Sequence, residues 1–238
     1  RDRFRPLRIA LLSSGDELCQ PGEQLPHGAV FDANRFIVRA LLRHLPVEVE
    51  DLGIVGDDAA LVERALLAAA DRHDVVLTSG GASRGDEDHV VRTVERHGRL
   101  DFWQIAMKPG RPLAFGRLAD AVTIGLPGNP VAATVCFLRF ARPVIARLAG
   151  AMWPEPRGFD VPAAFDFAKK PGRTELLRAR LVADDRGGLA ADMIRRQGSG
   201  ILTSLTDADG LIEVGPATLS IAKGEPVRFF SFAELGAT

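Results

Sequence analysis

"HDVVLTSGGASRGDEDHVVRTVERHG", residues 73–98, decides the fold. It opens on a short apolar run that reads as a buried strand. It closes on "DHVVRTVERHG", which reads as a helix stopped at Gly98. Between them stand Gly80 and Gly81 side by side, Gly85, and the acidic residues Asp86, Glu87 and Asp88. A simple turn would be shorter, and an ordinary surface loop rarely needs adjacent glycines. Strand, glycine turn and helix make the repeating unit of a parallel sheet, in which crossovers are right-handed and helices cover both faces.

The same alternation runs through residues 1–150. "PLRIALL" is a strand ending in "SSGDEL" (13–18). "ANRFIVRALLRHL" is a helix with Phe36, Ile37, Ala40, Leu41 and Leu45 on one stripe and Arg35, Arg39 and Arg43 on another. "VEVEDLGIV" alternates as a strand, and "DDAALVERALLAAADRH" is a helix with acidic residues at its start. "RLDFWQIAM", "RPLAFGR" and "AVTIGL" are further strands. "PVAATVCFLRFARPVIARLAG" is a long apolar helix that Pro130 starts and that Pro143 kinks or breaks.

After Gly150 the pattern changes. "AMWPEPRGFDVP" (151–162) holds three prolines and no helical period, so residues 151–161 read as a linker, and residues 162–238 as an all-β domain. There "TELLRARLVADDRGGLAADMIRR" is a hairpin, and "GLIEVG" and "EPVRFFSF" are short strands. The expected fold class is therefore α/β: a mostly parallel three-layer sheet domain followed by a small all-β barrel-like domain.

Composition sets limits on function. The 238 residues are 46% hydrophobic and 26% charged, with a formal net charge of -1, so no global field favours nucleic acid or an anionic membrane. No apolar run reaches the ~18 residues of a membrane span. Cys19 and Cys136 lie far apart without metal-ligand spacing, which fits reduced packing residues and a cytoplasmic location. The chain opens "RDRFRPLRIALL", without methionine and almost at once in a strand, and reads as a piece of a longer protein.

In an open parallel sheet, ligands bind beyond the carboxyl ends of the strands. Four glycine-bearing turns follow strands here: "SSGDEL", "TSGGASRGDED" (78–88), "KPGRP" (108–112) and "GLPGNPV" (125–131). Gathered at one edge, they would offer free backbone N–H groups to an anion, with Lys108 and Arg111 adding charge. Carboxylates at Asp16, Glu17, Asp57, Asp86 and Asp88 beside such a site call for a divalent cation between them and the anion. Each signal taken singly has a plain reading: Asp16 capping a turn, "PGNP" entering a helix, Asp57 and Asp58 capping the next helix, Lys108 in solvent. The histidines have no ligand spacing. Neither a P-loop nor Gly-x-Gly-x-x-Gly is present.

Quoted together, "SSGDEL", "DANR" (32–35), "SGGASRGDED", "MKPGRP" and "GLPGNPV" resemble the molybdopterin molybdotransferase family, which includes the E domain of gephyrin. "SGG" with "GD" alone would also suit molybdopterin adenylyltransferases and the competence-damage-inducible family. The resemblance implies insertion of molybdenum from molybdate into adenylylated molybdopterin, with Mg²⁺-assisted release of AMP. It implies Glu17, Asp57, Asp88 and Lys108 as catalytic residues, the first three also holding Mg²⁺. Substrate-binding residues would be Ser14, Gly15, Asp16, Ser79, Gly80, Gly81, Ser83, Gly85, Asp86, Gly110, Arg111, Pro127, Gly128, Asn129 and Pro130. In the β domain they would be Arg173, and Ser199 in "RRQGSG" (195–200).

The family's N-terminal domains, absent here, would build a homodimer and supply residues from the partner subunit. An adenylyltransferase or molybdoenzymes would be further partners. Two residues depart from the family pattern. Gln104 stands where a second basic residue is usual, and Arg84 replaces a small apolar residue. A molybdopterin adenylyltransferase and a non-catalytic molybdopterin-binding scaffold are the competing readings.

Overall fold

The computed structural model describes residues 5–80, 88–153, 155–184 and 187–237. In chain order the first elements are β1 (Leu7–Ser14), β2 (Leu18–Cys19), β3 (Val30–Phe31), α1 (Ala33–Leu42), β4 (Val47–Val55) and α2 (Ala59–Arg72). Next come β5 (Val75–Ser79), α3 (His89–His97), β6 (Gly98–Gln104), β7 (Met107–Lys108), β8 (Pro112–Leu118) and β9 (Ala121–Leu126). The helices α4 (Pro130–Cys136) and α5 (Arg142–Leu148) are joined through a π-helical turn, Phe137–Ala141.

By its contacts the chain divides into two compact units. The first, Arg1–Ile105 with Pro112–Trp153, is built on a six-stranded sheet of order β4-β1-β5-β9-β8-β6. Its first four strands run parallel. β8 and β6 are antiparallel because their connections are too short for a crossover: only Ala119 and Asp120 separate β8 from β9. Ala10, Leu12 and Val76 point to one face, where Val62 and Leu66 of α2 and Val90 and Val94 of α3 cover them. α1 and α4 pack together on the other face. The architecture is mixed α/β with a mostly parallel sheet, as the sequence implied.

One helix differs from expectation. The stripe expected on α1 is rotated: Phe36 is 44% exposed, whereas Asn34, Arg35, Val38, Leu41 and Leu42 are buried. Arg35 goes inward because carboxylates wait for it, as described below. The helical run after Pro130 continues to Leu148 but passes through the π-helical turn, the fault that Pro143 announces. Pro143 has no N–H to offer the carbonyl four residues back, and the Arg142 N–H instead bonds the Phe137 carbonyl, five residues back.

The second unit comprises Ala106–Arg111 and Pro154–Thr238. Its elements are β10 (Phe159–Pro162), β11 (Phe167–Ala168), β12 (Thr174–Ala183), β13 (Leu189–Met193), α6 (Thr203–Thr206), β14 (Gly210–Val214), β15 (Ser220–Ile221) and β16 (Pro226–Ser231). The antiparallel order β10-β16-β14-β12-β13 encloses a core of Val161, Leu177, Ala179, Ile212, Val227 and Phe229. β7 joins this sheet parallel to β12, so residues 106–111 fold with the second unit although they lie within the first unit's sequence. β10 begins inside the stretch read as a linker. Two-residue strands such as β7, β11 and β15 escaped the sequence reading because two residues carry no periodicity.

Candidate functional site

The carboxyl ends of β1, β5 and β9 are adjacent, with Ser13 paired to Ser79 and Ser79 to Leu126. At this rim Gly80 takes φ +89°, and its N–H donates to the Leu126 carbonyl at 3.3 Å. A Cβ there would collide with the Ser14 carbonyl oxygen, so only glycine lets β5 turn this close to β1. A Cβ on Gly128 would stand 3.8 Å from the Gly80 Cα, so these two turns face each other. Pro127 is buried, Asn129 precedes α4 without a side-chain cap bond, and Pro130 fills the first helical turn.

The acidic turns sit on the same rim. Asp16 accepts the Asp57 N–H at 2.8 Å, tying "SSGDEL" to the loop after β4, and Gly15 donates to the Val55 carbonyl at 3.2 Å. Glu17 is exposed, and its carboxylate folds back over Gly15. Nε2 of His89 lies 3.1 Å from the Asp57 carbonyl, linking this loop to the start of α3. Asp58, not Asp57, caps α2 by accepting the Leu61 N–H at 2.9 Å.

Asp88 caps α3, its Oδ1 accepting the Val91 N–H at 2.9 Å. It is 7% exposed, and burial pushes its carboxyl up to about 6. Gly81, Ser83, Gly85 and Asp86, and with them Arg84, lie outside the described residues.

Buried polar atoms without partners mark this rim. Among the described residues they include Ser13 Oγ, Ser14 Oγ, Thr78 Oγ1, Asn34 Oδ1 and Asp88 Oδ2, all at the ends of β1 and β5 or the starts of α1 and α3. Unpaired buried groups are costly in an isolated fold and are usual where a polar ligand binds. A groove of about 500 Å³ at the opposite strand ends, lined by Arg8, Glu48, Glu50, Arg72 and His73, holds none of these atoms. Glu50 is paired there, with Arg72 at 3.9 Å and with His73 Nε2 at 2.9 Å.

The three acidic residues expected to hold a metal do not form a ready-made cage. Among the described residues no group of three or more His, Cys, Asp or Glu is placed to bind an ion. Cys136 is fully buried, and burial pushes its thiol up to about 12, which leaves it inert.

The remaining candidates belong to the second unit. Lys108, on β7, places its Nζ 3.1 Å from Oε2 of the buried Glu175. Gly110 and Arg111 follow in the same segment. Arg173 is exposed, and its carbonyl accepts Lys169 Nζ at 2.8 Å. Ser199 sits in the 195–200 loop.

That loop is organised by a residue the sequence reading missed. Arg178 is 1% exposed and donates to the Arg196 and Gly198 carbonyls at 3.3 and 3.2 Å and to Ser204 Oγ at 3.2 Å. With no carboxylate among these partners, burial lowers its guanidinium to about 10. In "LLRARLV" an arginine at this position reads as outward-facing. Arg180, two residues on and on the same strand face, is exposed, so no local signal separates the two arginines. Asn34 and Arg35, in "DANR", likewise carry no local signal of their burial.

Comparison with known proteins places the chain in a family. Residues 10–147 match the family described as "Probable molybdopterin binding domain", and residues 160–232 match "MoeA C-terminal region (domain IV)". The chain is 37% identical over 233 residues to the molybdopterin molybdenumtransferase of Haemophilus influenzae, covering 98% of this chain and 58% of that protein. It is 33% identical over 216 residues to the molybdenum cofactor synthesis protein cinnamon of Drosophila melanogaster, covering 89% of this chain and 35% of that protein. The solved structure of the MoeA molybdopterin biosynthesis protein from Pyrococcus horikosii superposes with a TM-score of 0.80 at 28% identity, covering 96% of this chain and 55% of that one. The chain thus spans little more than half the length of these bacterial and archaeal relatives. With both of its units matched in order and a relative of this identity along nearly its whole length, the chain belongs to the molybdopterin molybdenumtransferase family.

Proposed function

We propose that this chain carries out the molybdenum-inserting step of molybdenum cofactor biosynthesis: it binds adenylylated molybdopterin and molybdate, releases AMP and leaves the metal on the pterin dithiolene. The observation that carries this reading is the cluster of unpartnered buried polar atoms at the carboxyl rim of β1 and β5, beside glycine turns shaped for close approach. Phosphoanhydride cleavage depends on positioning and charge neutralisation, which a divalent cation, backbone amides and a lysine would provide without a covalent nucleophile. In this reading the glycine loop 79–85 and the amides of residues 128–129 receive the phosphates, and Pro127 and Pro130 shape the wall. On the family likeness, Lys108, Arg173 and Ser199 are also assigned to the substrate.

Glu17, Asp57 and Asp88 are all oxygen donors, and Asp88 has a buried oxygen without a partner, so the set fits Mg²⁺. That ion takes one or two carboxylates together with substrate phosphate oxygens, and needs no protein cage. Bound there, it would neutralise charge on the phosphate oxygens, while Glu17 and Asp57 orient the attacking water or molybdate oxygen. On the family likeness, the native-length protein would act as a cytoplasmic homodimer.

The test is to incubate native-length protein with adenylylated molybdopterin, molybdate and MgCl₂ and to follow AMP. Release that falls at least about a hundredfold in Asp57→Ala or Asp88→Ala is expected, the scale of one lost charge-stabilising group. Tight binding without release would make the protein a scaffold, and synthesis of the adenylylated pterin from ATP would make it an adenylyltransferase.

A further inference from the structure

The "DANR" turn supplies no group to the chemistry above, yet it is anchored on every side. Asn34 is 7% exposed. Its Nδ2 donates to Ser79 Oγ at 2.8 Å and to the Gly128 carbonyl at 2.6 Å, partners 45 and 94 residues away that follow different strands. The amide orientation is dictated by Gly128: turned over, the side chain would set two acceptor oxygens against each other. Asn34 is itself held firmly. Asp32 caps α1, accepting the Arg35 N–H at 3.2 Å and Arg35 Nε at 2.9 Å. Arg35 continues to Asp51 Oδ1 and Gln20 Oε1, each at 2.5 Å, and Asp51 Oδ1 accepts the Gly53 N–H at 3.0 Å. A buried, hydrogen-bonded ion network is stiff because each member would be left unpaired if any moved.

We infer that Asn34 is a positioning residue. It fixes the separation of the turn at Ser79–Gly80 from the turn at Gly128, and with it the spacing of the two glycine turns that receive the substrate's phosphates. The identity of that ligand rests on the function proposed above; the tie between the two turns does not. Both turns leave buried parallel strands, and between the described atoms of the two turns the Gly80 N–H to Leu126 carbonyl bond is the other cross-link. Without the Asn34 amide, the Gly128 carbonyl loses its partner and the 128–130 segment is free to drift from Gly80.

The deciding experiment uses Asn34→Leu in the full chain, an apolar side chain of matching shape that fills the same volume and ties nothing. Two readouts are taken: amide hydrogen exchange at residues 78–80 and 128–131, and affinity for AMP in MgCl₂ by titration calorimetry. The expected result is a melting temperature near wild type, faster exchange at both turns, and AMP affinity at least about tenfold weaker, equal to about 1.4 kcal/mol.

Wild-type exchange and affinity in the folded variant would overturn the inference. Should Asn34→Leu not fold, Asn34→Asp, which keeps shape and polarity but removes the donor, carries the same expectations. Failure of both variants to fold would also overturn it, assigning Asn34 to the stability of the unit. If wild-type protein binds no AMP, the functional reading falls, while the exchange comparison still decides the role of Asn34.

Discussion

At the residue scale, Asp88 shows how one side chain serves two ends. Its Oδ1 caps α3 while its Oδ2 stays buried and unpaired, and burial raises its carboxyl to about 6. The folded state holds this proton more tightly than the unfolded chain, whose carboxyl titrates near about 3.9. Asp88 therefore costs nothing below about pH 4, and its cost to the fold grows as pH rises to about 6, where it becomes complete. Asn is an equally good cap and carries no charge. Asp88→Asn should thus match wild-type stability in urea at pH 4 and exceed it at pH 7.5. An equal difference at both pH values would show that Asp88 is not buried as described. On the proposed mechanism activity should move the opposite way, because Asp88 is there assigned to the cation. The acid itself was legible from its place after a glycine turn, but its burial was not.

At the element scale, α1 carries the most information. Its apolar periodicity identified the helix but misplaced the buried face, because periodicity counts arginine as polar and hence outward. Arg35 is buried at 4% exposure because Asp32, one residue before the helix, and Asp51, on β4, neutralise it. Asp32 and Arg35 are local partners, visible in "DANR". Asp51 and Gln20 come from other elements, and no spacing rule joins them. Arg35→Met should destabilise the first unit by about 3–5 kcal/mol, since it leaves the Asp32 and Asp51 carboxylates without their counter-charge. A urea-denaturation difference below about 1 kcal/mol, the range of exposed pairs, would mean that water already solvates the network. The π-helical turn before α5 belongs to the same scale: Pro143 announced a fault in the helix, but not that the chain would absorb it by an i−5 hydrogen bond.

At the scale of the whole molecule, each unit has its own core. Leu66 lies in the first unit with Val62, Val76 and Val90, and Ile212 lies in the second with Leu177, Val214 and Phe229. Leu66→Ala and Ile212→Ala should each cost about 2–5 kcal/mol. Because they share no packing partner, the double variant should equal the sum within about 0.5 kcal/mol. A larger coupling measured by chemical denaturation would show that the cores do not act independently. The path of residues 106–111 is the feature at this scale that sequence order hides. The KPG segment leaves the first unit, pairs β7 with β12, sets Lys108 against Glu175 and returns as β8.

What the amino-acid sequence alone determined was the alternation of strand and helix up to residue 150, the β-rich remainder and the order of the glycine turns, which together carried the family likeness. These follow from local rules: side-chain periodicity, capping residues and the φ freedom of glycine act over a few positions. The tertiary structure decided which polar residues turn inward. Arg35, Asn34, Arg178 and Glu175 are each buried through partners 15 to 94 residues distant. A charge or amide is tolerated inside only when a partner meets it, and that meeting exists only after the sheets have formed.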